Sequence, residues 1–193
     1  MDFISGNICT LDIIFGPMFS GKTTELMRRL NICAEAKYKV LYINSIIDKR
    51  SEKGFSTHNQ ILKESDGIVF VKTNNLFQVL DIAKQYDIIG IDESQFFEDL
   101  KEFCSTMIEV HKKKVIVAGL NGDFERKPFG QINDLITLCD SITKLSPFCS
   151  SCRVKNGIMT PAIFSKRISM SKETILVGQS ESYIPVCRDC YTL

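Results

Sequence analysis

Ile8-Cys-Thr-Leu-Asp-Ile-Ile-Phe15 followed by Gly16-Pro17-Met18-Phe19-Ser20-Gly21-Lys22-Thr23 is the stretch on which the reading of this chain turns. An apolar run of strand length leads into the pattern GxxxxGK[ST]. Thr23–Lys37 then carries Leu26, Leu30, Cys33 and Ala34 at helical spacing. Strand, glycine-bearing turn and helix in that order form the context of a phosphate-binding loop. The glycines let backbone N–H groups turn toward an anion, and the helix N-terminus adds its positive partial charge. Lys22 is placed to reach the β- and γ-phosphates of a nucleotide, and the Thr23 hydroxyl to bind Mg²⁺.

Outward from that loop, apolar runs alternate with helical patterns. Val40–Ile43, Ile68–Val71, Ile88–Ile91 and Val115–Leu120 read as further strands. Leu76–Gln85 reads as a helix, and Leu100, Phe103, Cys104 and Met107 trace the i, i+3, i+4, i+7 stripe of another. Such alternation builds an α/β domain with a parallel sheet. The polar stretch Ile46–Ser65 has little periodicity and reads as a mobile loop near the strand ends. After Leu145 the alternation stops and an irregular stretch begins, which places a boundary between an ATP-binding domain (1–145) and a small C-terminal module (146–193).

Ile88-Ile-Gly-Ile91-Asp92-Glu93 is an apolar strand ending in two acids. Asp92 suits a carboxylate that holds the Mg²⁺ shell. Glu93, at the carboxyl end of the strand where open α/β sheets bind ligands, suits a proton acceptor. Two acids complementing the dipole of a following helix is the other reading. Asp48-Lys49-Arg50 lies just past the second strand, where one cation could stabilise a transferring phosphoryl group or stand as a solvated loop charge. Phe96 and Phe97, Phe124 and Phe129, and Tyr183 cluster near strand ends, as core or as a stacking pocket.

Of eight cysteines, Cys9, Cys33, Cys104 and Cys139 stand singly on apolar segments and read as small buried hydrophobes. Cys149-Ser-Ser-Cys152 and Cys187-Arg-Asp-Cys190 are two CxxC pairs whose four thiolates fit a tetrahedral structural zinc. Disulfides are the competing use of such pairs. The intervening segment exceeds a compact ribbon and reads as a long loop or hairpin tied at both ends. A module this small needs such a metal as support.

Lys plus Arg is 24 against Asp plus Glu 23 over 193 residues, a net charge of +1. That balance lacks the excess positive field of a general nucleic-acid binder. An acid at position 2 and the absence of a long apolar run give neither a secretory signal nor a membrane span, so a soluble cytoplasmic protein is expected.

The residues Gly16 to Arg29, Ile91-Asp-Glu-Ser-Gln-Phe-Phe97, Phe124-Glu-Arg-Lys-Pro-Phe129 and the paired CxxC motifs resemble the cytosolic, poxvirus-type (type II) thymidine kinases from about Ile8 to Tyr191. The resemblance implies a P-loop NTPase, RecA-like α/β domain joined to a zinc module whose lasso loop covers the nucleoside. It also implies transfer of the γ-phosphate of ATP to the 5′-hydroxyl of thymidine. Glu93 then corresponds to the general base, Lys22 to the phosphate lysine and Arg50 to the cation near the phosphoryl group. The loop Gly16–Thr23, Asp48–Arg50 and Asp92, Glu93, Ser94 and Gln95 correspond to the ATP and Mg²⁺ positions. Met18, Phe96, Leu120, Phe124, Phe129, Ser165 and Tyr183, with the lasso residues Thr174, Ile175, Leu176, Val177 and Gly178, correspond to the nucleoside site. Ser94, Asn121 and Gln179 depart from the usual residues, and the Ser51–Gly67 loop matches poorly. A homotetramer inhibited by thymidine triphosphate is implied by resemblance alone. Two other readings share the parts: a nucleoside monophosphate kinase with a zinc-bearing lid, and a zinc-ribbon P-loop ATPase acting on nucleic acid.

Overall fold

Short runs of Ile, Val and Leu that must be covered on both faces build a parallel sheet, and the chain does so. The structure is a computed structural model that describes residues 9–47, 61–65, 67–168 and 182–192. Its large sheet contains β1 (Leu11–Phe15), β2 (Val40–Ser45), β3 (Ile61–Ser65), β4 (Ile68–Thr73), β5 (Ile88–Ile91), β6 (Lys114–Gly119) and β7 (Ser141–Lys144). The spatial order is β3-β4-β2-β5-β6-β1-β7. All neighbours are parallel except β3, which runs antiparallel to β4 at one edge.

Period-two alternation sorts the strand residues between two cores. Ile13, Leu41, Ile43, Ile89, Ile91, Val115 and Val117 pack with Phe97, Phe103 and Met107 on one face. Ile14, Val40, Tyr42, Ile88, Ile116 and Ala118 meet Leu26, Leu30 and Cys33 of α1 (Lys22–Glu35) on the other. Full burial of Leu26 and Leu30 contributes about 1.5–3 kcal/mol each. That contact sets α1, and with it the loop at its N-terminus, against the sheet. Arg29 is buried on the same helix, donating to Glu25 and to Thr143 of β7 at 2.7 Å each. Hydrogen bonding from Arg28 holds Glu25 well below the usual carboxylate range, at about 2, against the effect of burial and with help from Arg29.

Several sequence expectations change. The first strand begins at Leu11, and Ile8 lies outside the described residues. The helix expected over Leu76–Gln85 is a 3₁₀ turn, Leu76–Val79, running into the short α2 (Leu80–Ala83). Asn75 caps the turn by accepting from the Gln78 N–H at 3.2 Å. The stripe Leu100, Phe103, Cys104, Met107 is wholly buried, but α3 (Leu100–Ser105) continues as a π turn over Thr106–Val110. Part of the supposed loop Ile46–Ser65 is the edge strand β3, paired through a register shift between Leu62 and Glu64. Strand β7 escapes the sequence reading because Ser141-Ile-Thr-Lys is short and only half covered.

Beyond Leu145 the chain is more regular than its composition suggests. α4 (Ser150–Asn156) and α5 (Arg188–Thr192) flank an antiparallel pair, β8 (Phe164–Arg167) and β9 (Tyr183–Val186). Cys149, Ala162, Val186 and Cys187 form a small core of their own. Among the described residues, no helix is long and apolar enough to cross a membrane.

Gly90 in β5 lies directly under α1. A Cβ there would stand 2.5 Å from Leu30 Cδ1 and 3.2 Å from its Cγ. Gly90→Ala is expected to cost about 1–3 kcal/mol by overpacking and to lower the melting temperature. Adding Leu30→Val is expected to recover part of that loss, and an unchanged melting temperature for the single variant would disprove the contact.

Candidate active site

The ends of β1 and β5 carry the two polar motifs, with β6 between them, so both lie on the carboxyl edge of the sheet. At the end of β1 the loop turns at once. A Cβ on Gly16 would lie 2.2 Å from the Leu145 carbonyl oxygen, which restricts that position to glycine. Gly21 adopts a left-handed conformation (φ 82°) just before α1, and its carbonyl accepts from the Glu25 N–H at 2.9 Å. Phe19 is also left-handed and half exposed. Pro17 contributes its carbonyl: Lys22 is buried and donates from Nζ to it at 2.9 Å. Ser20 Oγ is buried without a hydrogen-bond partner among the described residues. A buried ammonium and an orphaned hydroxyl inside a tight loop fit a polyanionic ligand such as a nucleotide phosphate. Thr23, in the first turn of α1, is exposed at the same end.

At the end of β5 the acid pair is tied in on all sides. Asp92 is 2% exposed. Its Oδ2 accepts from the Tyr42 hydroxyl at 2.8 Å and its Oδ1 from the Glu93 N–H at 2.9 Å. Glu93, also buried, takes a left-handed backbone (φ 47°), which costs a residue with a Cβ about 1–3 kcal/mol. Such strain persists where surrounding contacts over-determine it. Here Glu93 Oε2 accepts from Gln95 Nε2 at 2.6 Å. Instead of a regular helix, a single 3₁₀ turn, Ser94–Phe96, follows the acids. A hard divalent cation seeks carboxylate and hydroxyl oxygens of the kind Asp92 and Thr23 present on this edge.

The aromatic residues divide. Phe97 is fully buried in the core on the Ile13 and Val117 side of the sheet, the core alternative of the sequence reading. Phe96 and Phe129 meet edge to face at 5.8 Å, both partly exposed. Leu120 starts the loop after β6 and is partly exposed. Phe124 lies under the guanidinium of Arg167, 3.8 Å from its ring centroid. Arg167 also hydrogen-bonds the hydroxyl of Tyr183 at the start of β9. Ser165, in β8, accepts from the Met18 N–H at 2.9 Å and so joins the glycine loop to the C-terminal hairpin. Tyr191 donates to the Phe124 carbonyl at 2.7 Å while Arg126 lies over its ring at 4.4 Å. Sequence reasoning missed Tyr42, Arg167 and Tyr191. Tyr42 could have been found from its alternation on β2, but the two C-terminal residues leave no such signal. Asp48, Lys49 and Arg50, and the lasso residues Thr174, Ile175, Leu176, Val177 and Gly178, lie outside the described residues.

The thiols of Cys149, Cys152, Cys187 and Cys190 lie within 4.8 Å of one another. Cys152 Sγ stands 3.7 Å from Cys187 Sγ and 3.6 Å from Cys190 Sγ. Those gaps are far too long for disulfide bonds. Four thiolates about 2.3 Å from a tetrahedral zinc would stand about 3.8 Å apart. Burial opposes ionisation of Cys149, yet hydrogen bonds from the backbone of Cys152 and Cys187 and from their thiols bring it down to about 6. Hydrogen bonding with the Cys152 and Cys187 thiols pushes Cys190 up to about 12. The donor set thus resists carrying several negative charges unaided and fits a divalent soft cation.

The family model described as thymidine kinase matches residues 9–191. The thymidine kinase of Amsacta moorei entomopoxvirus is 42% identical over 185 residues, covering 94% of this chain and 97% of that protein. The cytosolic thymidine kinases of Bos taurus and Homo sapiens are each 40% identical over 181 residues, covering 94% of this chain and 71% and 72% of theirs. Among solved structures, the flagellar accessory protein FlaH from Methanocaldococcus jannaschii shares the fold, with a TM-score of 0.51, 15% identity, and coverage of 77% of this chain and 78% of that one. With the family model spanning nearly the whole of it, the chain belongs to the thymidine kinase family.

Proposed function

We propose that the chain is an ATP-dependent thymidine kinase, moving the γ-phosphoryl group of ATP to the 5′-hydroxyl of thymidine. What supports this reading is the glycine loop after β1 and the Asp92-Glu93 pair after β5 on the carboxyl edge of one sheet, with Phe96 against Phe129 and with Arg167 against both Phe124 and Tyr183, in a member of the thymidine kinase family. A bond forms between the 5′-oxygen and the γ-phosphorus, the bond to the β-phosphate oxygen breaks, and ADP leaves. Lys22 and the backbone of Gly16–Gly21 hold the phosphates in line, and Glu93 takes the proton from the hydroxyl. Thr23 and Asp92 would hold Mg²⁺, which neutralises charge on the phosphates. Tyr42 keeps Asp92 aimed, and Arg50 serves as the cation at the transferring group.

The nucleoside site combines Met18, Phe96, Leu120, Phe124, Phe129, Ser165 and Tyr183 with lasso residues Thr174–Gly178. A site that hydrogen-bonds one base rejects bases that leave its buried groups unpaired. Residues 146–193 form the zinc module and 1–145 the ATP-binding domain. In the sequence the lasso residues fall between β8 and β9, and the two CxxC pairs lie on either side of that pair of strands. The cytoplasm as the site of action, a homotetramer and inhibition by thymidine triphosphate complete the proposal, supported by the kinship with cytosolic thymidine kinases. The nucleoside monophosphate kinase and nucleic-acid-driven ATPase readings find no support in the relatives.

Phosphoryl transfer from labelled ATP with Mg²⁺ to thymidine, deoxycytidine, deoxyadenosine, adenosine monophosphate and thymidine monophosphate tests this. Thymidine is expected to be the preferred acceptor. Transfer to a monophosphate in its place would overturn the reading. Glu93→Gln is expected to lower kcat by about 10²–10⁴ with ATP binding nearly intact. Cys152→Ser is expected to release close to one zinc per chain and to raise the KM for thymidine before it unfolds the ATP-binding domain; native protein that purifies without zinc would remove the metal.

A further inference from the structure

Gln95 sits two residues past the acid assigned as base, and its side chain turns back on that acid. Nε2 donates to Glu93 Oε2 at 2.6 Å, while Oε1 accepts from the backbone N–H of Leu120 at 2.9 Å. Because the Leu120 N–H can only donate, the amide oxygen must face it and the amide nitrogen must face the carboxylate. The orientation of the amide is therefore set by chemistry. Gln95 is 4% exposed, and the backbone approaches it closely at two glycines. A Cβ on Gly119 would stand 2.8 Å from Gln95 Oε1, and one on Gly130 (φ 61°) would stand 2.4 Å from the Gln95 carbonyl oxygen and 2.8 Å from its Cα. Both glycines belong to the chain that runs from the end of β6 around the Phe124 and Phe129 loop.

The carboxylate needs such a strut. Its backbone is left-handed, and the 3₁₀ turn after it is one turn long, so local structure alone does not orient the side chain. We infer that Gln95 is a positioning residue: its amide fixes Glu93 Oε2 and couples the carboxylate to the start of the nucleoside-binding loop at Leu120. This rests on the reading of Glu93 as the base. A charge-assisted bond to a buried carboxylate is among the stronger neutral-donor contacts available. Its loss removes one of the contacts that hold the side chain in the geometry in which it meets a substrate hydroxyl, and a displacement of about 1 Å can cost about 10²-fold in rate.

Gln95→Glu is the discriminating variant, since it keeps an acceptor for Leu120 and nearly the same shape while replacing the donor that faces Glu93. Gln95→Met, which retains length but neither polar atom, guards against an effect peculiar to the added charge. Both are made in the full chain, alone and combined with Glu93→Gln, and assayed for kcat, KM for thymidine and ATP, and melting temperature. Each single variant is expected to lower kcat about 10- to 100-fold with both KM values within about threefold. In the Glu93→Gln background neither is expected to lower kcat by more than about twofold further, because a strut has no effect once the base is gone. Unchanged kcat in both variants, or multiplicative losses in the doubles, would overturn the role of Gln95. Full activity in Glu93→Gln alone would instead overturn the assignment of the base.

Discussion

Two-faced burial of the parallel strands is the constraint on which the rest of the molecule depends. Residues of β1, β2, β5 and β6 alternate between two cores, so a slip of one residue in any strand would exchange the two sets of side chains. Ile13 would then face α1 and Ile14 the opposite layer. With the register held, Ile13 pairs with Val117 and Gly90 with Ile116; β1 and β6 end opposite one another at Phe15 and Gly119, and β5 ends at Ile91, opposite Val117, on the same edge. The glycine loop, the acid pair and Leu120 begin there because the strands stop there.

Polar groups near that edge are organised outward from this frame. Tyr42 lies on the α1 face of β2, yet its hydroxyl reaches Asp92 at the end of the neighbouring strand. The side chain thus serves the core with its ring and the site with its oxygen. Lys22 and Asp92 bring opposite charges into a poorly hydrated region, and each is held by nearby hydrogen-bonding groups. Such groups are costly as structure alone, and their concentration on one edge marks the place where a charged ligand completes them. The Met18 to Ser165 bond then fastens the glycine loop to the β8–β9 hairpin.

Much of this was legible because chemistry and spacing coincided. GxxxxGK[ST] after an apolar run required a strand, a turn and a helix, and all three formed. The acid pair was readable for the same reason, being two charges at the end of an otherwise apolar strand. Strand β7 and the helices α4 and α5 were not legible: their residues are polar and half exposed, and their regularity comes from pairing with β1 and from the cysteine cluster. Phe97 stayed open between core and pocket in the sequence because an aromatic beside a site motif carries no label of the face it will join; the structure places it in the core. One position separates it from Phe96, and a turn of the 3₁₀ segment sends the two in different directions.

By itself the sequence determined the parallel α/β class, the phosphate loop, the acid pair and the four thiols, since each is written as residue types at a local spacing that one backbone geometry satisfies. Only the tertiary structure decided what lies across from what. Tyr42 on Asp92, Arg167 on Phe124 and Gln95 between Glu93 and Leu120 join residues from different strands and loops. Their contacts follow from sheet order and from close backbone approaches at Gly119 and Gly130, which no local pattern encodes.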